Sequence, residues 1–178
     1  TYRLERKTLH VQWKVKNPSD EPMYFTIGGH PAFRFAGKYE KKEDYCLRFP
    51  RKEVLEYILV HPESGAGNPD EVFKMELENE TYPLTEELFA NDALIFDNGQ
   101  IEEVWICHKD GTPYAGLCCK GFPNFGIWSV KDAPFVCLEP WAGRCDDHGF
   151  AGDISEKPGI NRLEGQETFR KEYQIVVA

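Results

Sequence analysis

Leu9-His10-Val11-Gln12-Trp13-Lys14-Val15-Lys16 alternates apolar and polar residues without a break. Apolar side chains at every second position line one face of an extended chain, so this stretch predicts a β-strand buried on one side. It ends at Asn17-Pro18-Ser19-Asp20, where Asn and Asp can bond their own backbone and Pro presets φ, which is turn chemistry. Working outward, similar short stretches predict strands at Met23–Ile27, Tyr45–Phe49, Val54–Val60, Val72–Leu77, Ala93–Phe96 and Val104–His108. Others follow at Tyr114–Cys119, Phe125–Val130, Phe135–Leu138 and Thr168–Val177. Clusters of Gly, Pro, Asn and Asp separate them, as in Pro62-Glu63-Ser64-Gly65-Ala66-Gly67-Asn68-Pro69-Asp70. No segment keeps a helical period over about a dozen residues, and only Thr85–Phe89 reads as a brief helical turn. Many short strands punctuated by turns predict an all-β fold, an antiparallel β-sandwich in one domain spanning residues 1–178.

The 178 residues are 41% hydrophobic and 29% charged, a globular composition that excludes a disordered tail or low-complexity linker. With 21 Lys and Arg against 30 Asp and Glu, the net charge is −9. That sign repels phosphate backbones and anionic bilayers, so neither nucleic acid nor a membrane is an expected partner. No run approaches the roughly 18 consecutive apolar residues of a membrane helix. Thr1-Tyr2-Arg3-Leu4-Glu5 lacks the layout of a signal peptide, and the reading is a soluble, cytoplasmic protein. The chain opens in a strand without Met, so an upstream portion is expected. Among Cys46, Cys107, Cys118, Cys119, Cys137 and Cys145, four lie in or beside apolar runs, which predicts core thiols rather than a disulfide framework.

Two constellations could carry chemistry. In Gly28-Gly29-His30-Pro31-Ala32-Phe33, the glycines permit close backbone approach and Pro31 confines His30 to the extended region. A histidine titrates near neutrality and serves as general acid or base; the competing reading is a turn histidine bonded to a nearby carbonyl. In Phe135-Val136-Cys137-Leu138-Glu139-Pro140-Trp141, alternation puts Phe135, Cys137 and Glu139 on one strand face. A carboxylate ending an apolar row must be paired or have a raised pKa, and a raised pKa suits a base near neutrality. The competing reading is a strand-end Glu turned to solvent. Trp141 offers a flat face on which the CH-rich side of a sugar could stack. No His-x-His, His-Glu-x-x-His or Cys-x-x-Cys spacing occurs, so no metal is expected. Neither a Gly-x-Ser-x-Gly elbow nor a Walker loop is present. The acidic runs Glu76–Glu80 and Glu86-Glu87 read as solvated edges.

Taken in order, Asn17-Pro18-Ser19-Asp20-Glu21-Pro22-Met23, Ile27-Gly28-Gly29-His30-Pro31-Ala32-Phe33, Phe122-Pro123-Asn124-Phe125-Gly126-Ile127-Trp128, Cys137-Leu138-Glu139-Pro140-Trp141 and Lys157-Pro158-Gly159-Ile160 before Gly165-Gln166-Glu167-Thr168-Phe169 carry a resemblance. The chain resembles the aldose 1-epimerase (galactose mutarotase-like) family, in its LacX-like bacterial branch, over essentially its whole length. That resemblance implies a galactose mutarotase-type β-sandwich and interconversion of the α and β anomers of a free aldose, of galactose or glucose type, without a cofactor. By motif, it implies that His30 protonates the ring oxygen and Glu139 takes the proton of the anomeric hydroxyl. Asp92, Trp141 and Phe33 are the implied sugar-binding residues, with acid and base facing each other across a groove. Family members carry an upstream portion with an Arg and a second His lining the sugar site. Lacking these, the sandwich is expected to be incomplete at its N-terminus, and an upstream segment or a second copy in a homodimer is the expected protein partner. A noncatalytic carbohydrate-binding sandwich is one alternative. Another is a hexose-6-phosphate 1-epimerase, which would need Arg34, Arg144 and Arg162 to converge on the phosphate.

Overall fold

A computed structural model describes all 178 residues. Its strands are β1 (Tyr2–Glu5), β2 (Thr8–Lys16), β3 (Met23–Phe25), β4 (Ile27–Gly28), β5 (Ala32–Arg34), β6 (Tyr45–Arg48), β7 (Val54–Leu59) and β8 (Phe73–Glu76). They continue as β9 (Thr81–Pro83), β10 (Leu94–Phe96), β11 (Glu103–His108), β12 (Pro113–Cys118), β13 (Asn124–Trp128), β14 (Phe135–Ala142), β15 (Asn161–Leu163) and β16 (Thr168–Val177). The remaining regular structure is three 3₁₀ turns, at Lys42–Asp44, Glu87–Phe89 and Ile154–Glu156. No helix is long and apolar enough to cross a membrane.

One seven-stranded sheet runs β1-β2-β16-β12-β11-β6-β9. A second runs β4-β14-β13-β10-β7-β8, with β5 also on β14, and β15 pairs with β3 apart from both. The paired strands are antiparallel, and the two large sheets stack as the expected β-sandwich. Alternation decides what fills the space between them. Val11, Leu47, Val104, Ile106, Leu117 and Tyr173 point inward from the first sheet. Leu55, Leu94, Phe96, Phe125, Ile127, Val136 and Leu138 meet them from the second. Because Val136 and Leu138 face this core, Cys137, Glu139 and Trp141 project from the opposite, outer face of the second sheet.

The strands differ from the sequence reading in three places. Met23–Ile27 is not one strand: Met23–Phe25 pairs with β15 while Ile27–Gly28 pairs with β14, so the chain changes partner at Thr26. The strand expected to stop at Leu138 runs on to Ala142. Pro140 is tolerated because its missing N–H faces the edge occupied by β4 and β5, where little ladder exists to interrupt. Short strands β1, β5, β9 and β15 carry too few residues for an alternating pattern to show and are defined by their partners. The brief helical turn expected at Thr85–Phe89 is present over Glu87–Phe89.

Glu86 is not simply a solvated edge residue. Its carboxylate accepts from the Lys42 ammonium at 2.9 Å and from the Asp132 backbone N–H at 3.1 Å. The Lys42 side chain is 0% exposed and also donates to the carbonyls of Val130 at 2.8 Å and Ala133 at 3.1 Å. Three acceptors offset the desolvation of this cation and tie the Lys42–Asp44 turn to the β13–β14 connection. Lys42→Met should therefore lower stability by about 2 kcal/mol, since two carbonyls and a carboxylate lose their donor; urea unfolding measures it, and an unchanged midpoint would show the staple to be dispensable.

Candidate functional site on the outer face

The edge of the second sheet beyond β14 is built from two pieces, β4 and β5, separated by Gly29-His30-Pro31. Register pairs Trp141 with Gly28 and Cys137 with Ala32, which sets Glu139 opposite His30. The backbone confirms it: Gly29 N–H donates to the Pro140 carbonyl at 3.0 Å, and Leu138 N–H donates to the Pro31 carbonyl at 3.2 Å. These bonds flank a non-hydrogen-bonded antiparallel pair, the arrangement that brings opposed side chains nearest. Each of the two reciprocal bonds would need an N–H from Pro31 or Pro140, which neither has. The prolines thus open the ladder on both sides of the pair while holding His30 and Glu139 extended.

His30 Nε2 lies 3.3 Å from Glu139 Oε1, with the imidazole 61% exposed and the carboxylate only 5%. The sequence expectation of two groups facing across a groove is therefore corrected: acid and base candidates stand side by side on neighbouring strands. Burial raises the Glu139 pKa, the His30 charge and the Trp141 indole N–H pull it down, and the Asp92 charge raises it further, for a net upward shift. Cys137, two residues earlier on the same face, is buried, and desolvation pushes its thiol up to about 12.

Trp141 lies flat because glycines flank it. A Cβ on Gly28 of β4 or on Gly126 of β13 would collide with the indole, so the ring spans the sheet from one glycine to the other. Trp128 meets the His30 ring edge-on, with centroids 5.7 Å apart. The sequence reading quoted this residue at the end of a motif but gave it no site role, yet the alternation Gly126-Ile127-Trp128 with Ile127 in the core puts it on the Glu139 face. Asp92, in a left-handed conformation (φ 71°), precedes β10 and accepts from the Ala93 N–H at 2.7 Å. Asp92 and Trp128 also wall an adjoining cleft of about 750 Å³ whose lining includes His61, Phe73 and Phe89 but neither His30 nor Glu139. The acid–base pair thus sits beside this cleft rather than inside it.

Phe33 is corrected outright. It pairs with Val136 and turns into the core, because it is an odd number of residues from His30 on an alternating strand. Its ring supports β5 from beneath. The arginines do not gather either. Asp97 accepts three hydrogen bonds from Arg144, at 2.9, 3.1 and 3.0 Å, and Asp147 takes a fourth contact at 2.7 Å. Arg162 pairs with Glu164 at 2.9 Å, and Arg34 is exposed on β5. The Asp97 clamp also receives Asn124 Nδ2 at 2.6 Å, anchoring the segment after β14 over the sheet. All six cysteines are free; Cys107, Cys119 and Cys137 are buried, Cys46 and Cys118 partly so, and Cys145 is exposed.

No protein-family model matches the chain. It is 27% identical over 179 residues to the chromosomal LacX protein of Lactococcus lactis subsp. lactis, covering 99% of this chain and 60% of LacX. A galactose mutarotase related enzyme from Lactobacillus acidophilus superposes with a TM-score of 0.89 at 26% identity, covering 99% of this chain and 59% of that one. A galactose mutarotase-like protein from Lactobacillus casei superposes at 0.83, with 24% identity, 99% of this chain and 61% of that one covered. The resemblance read in the sequence is borne out: the chain is similar to LacX and galactose mutarotase-like proteins over nearly its full length. It spans about 60% of the relatives' length.

The raised Glu139 pKa has a consequence for stability. Above the ordinary glutamate range the unfolded chain has lost this proton while the folded chain retains it, so stability falls as pH rises through that window. Glu139→Gln, which has no charge to bury, should melt at higher temperature than the parent at pH 7. The difference should vanish below pH 4.5, the ordinary value for a glutamate. Equal or lower melting at pH 7 would contradict the desolvated placement.

Proposed function

We propose that the protein interconverts the α and β anomers of a free aldose by acid–base opening and closing of the hemiacetal ring. The observation that carries this reading is the His30–Glu139 cross-strand pair, 3.3 Å apart at the solvent-open face of the sheet. The two oxygens that exchange protons in this reaction share one carbon, so an acid and a base on adjacent strands suit it better than groups on opposite walls. Similarity to LacX and to a galactose mutarotase related enzyme supports the same class. Because the chain spans about 60% of the length of LacX, the activity is proposed for the protein as a whole.

In this mechanism Glu139 takes the proton of the anomeric hydroxyl as its oxygen becomes a carbonyl, and the bond from the anomeric carbon to the ring oxygen breaks. The imidazolium of His30 gives its proton to the departing ring oxygen. Rotation about the C1–C2 bond presents the other carbonyl face. The chain hydroxyl then returns its proton to His30 while attacking the carbonyl, and Glu139 protonates the new anomeric oxygen, leaving both groups as they began. A carboxylate with a raised pKa is a stronger base than an exposed glutamate. Trp141 offers its flat face to the apolar side of the ring, and Asp92 accepts from its hydroxyls. No cofactor enters the scheme.

Glu139→Gln should slow anomer exchange of D-glucose or D-galactose by about 10²–10⁴-fold, followed by polarimetry on freshly dissolved α anomer; undiminished exchange would remove Glu139 as the base. The acid limb of the pH–rate profile should lie above the ordinary glutamate range. Asp92→Asn, by removing a charge that raises the Glu139 pKa, should move that limb to lower pH while raising KM; a limb that stays in place would exclude Asp92 from the site.

A further inference from the structure

His30, Cys137 and Glu139 present an imidazole nitrogen, a thiol sulfur and a carboxylate oxygen that all lie within 4.8 Å of one another. The spacing argument against a metal looked for ligands close in sequence. Here two come from alternate positions of β14 and the third from the facing edge, a juxtaposition only the sheet register creates. The residue opposite Cys137 on that edge is Ala32, whose side chain is a single methyl.

We propose that these three side chains form a binding site for a thiophilic divalent cation of the Zn²⁺ type, occupied in competition with the sugar. Donor type selects the cation: one sulfur and one imidazole nitrogen favour zinc and its neighbours over calcium or magnesium, which take oxygen ligands. Zinc bonds of about 2.0–2.3 Å in tetrahedral geometry set donors about 3.5 Å apart. The His30–Glu139 separation of 3.3 Å meets this already. The other two donor separations are within 4.8 Å, so closing on a cation takes about an ångström of side-chain adjustment. Charge balances as well. The cation displaces one proton from the Cys137 thiol to solvent, and the thiolate and the Glu139 carboxylate together cancel its two positive charges. A neutral assembly is the one that a largely buried site tolerates with least desolvation cost. With three protein donors, a fourth position would be left to water.

A cation held here would occupy both groups assigned to proton transfer, so the competition with sugar rests on the proposed function, whereas the site itself does not. The deciding experiment uses Co²⁺ alone, with no sugar and no activity assay. Titration should give one Co²⁺ per chain with a sulfur-to-cobalt charge-transfer band in the near ultraviolet, abolished by equimolar Zn²⁺. Cys137→Ser and Cys137→Ala should each lose the band, and His30→Ala, altering an exposed side chain that the fold does not need, should weaken Co²⁺ binding at least ten-fold. Cys145→Ser should keep it. Absence of the band, its survival without Cys137, or its loss with Cys145 would overturn the site. With the site established, saturating D-galactose or D-glucose should weaken Co²⁺ binding; undisturbed binding would overturn the competition and leave the metal site standing.

Discussion

A buried carboxylate opposite an exposed imidazole, in a non-hydrogen-bonded cross-strand pair, is the constraint around which this face of the sandwich is arranged. Such a pair brings side chains close but does not by itself hold an edge strand in place. Two prolines, each following one member of the pair, remove the bonds that would close the ladder and restrict both backbones to the extended region. The edge is kept in register by β4 and β5 on either side, and by Phe33, Val136 and Leu138 packed into the core beneath. The rigidity of the site is thus drawn from the hydrophobic layer between the sheets rather than from local hydrogen bonding.

The molecule buries charge in two ways, and the contrast separates structure from chemistry. Lys42 is wholly enclosed and donates hydrogen bonds to a carboxylate and two carbonyls, so its charge is satisfied and serves to staple loops together. Glu139 is nearly as enclosed but has only a half-solvated histidine and an indole N–H to compensate it, with Asp92 opposing. The outcome is a carboxylate whose pKa is displaced upward. Under-compensated burial of this kind destabilises the fold and makes the carboxylate a stronger base than an exposed glutamate, and the proposed reaction uses that reactivity. Cys137 stands close enough to both groups for the proposed cation site to be made from the same residues as the proposed acid–base pair.

Legibility in the sequence followed element length. β2, β11, β13 and β16 were readable because each has enough residues for alternation to show and for one face to be apolar. β5 and β15, with three residues each, carry no such pattern and exist because a longer strand lies alongside. His30 and Glu139 could be singled out because a titratable residue before proline, next to glycine or at the end of an apolar row, departs from what packing requires. Phe33 was misplaced because motif membership says nothing of parity: three residues from His30, it must face the other way. Trp128 ends a quoted motif but was given no role there, and only its parity with Gly126 reveals that it faces the site.

From its own chain the sequence determined the class of fold, the identity of the acid and base candidates, and their extended backbone, because alternation and proline act over a few neighbouring residues. Tertiary structure alone decided that the two stand side by side, that Glu139 is desolvated while His30 is not, and that Arg144 is spoken for by Asp97 and Asp147. Those outcomes depend on strand register and on which loops cover the outer face. Both are settled by contacts between residues far apart in the chain, which no local pattern encodes.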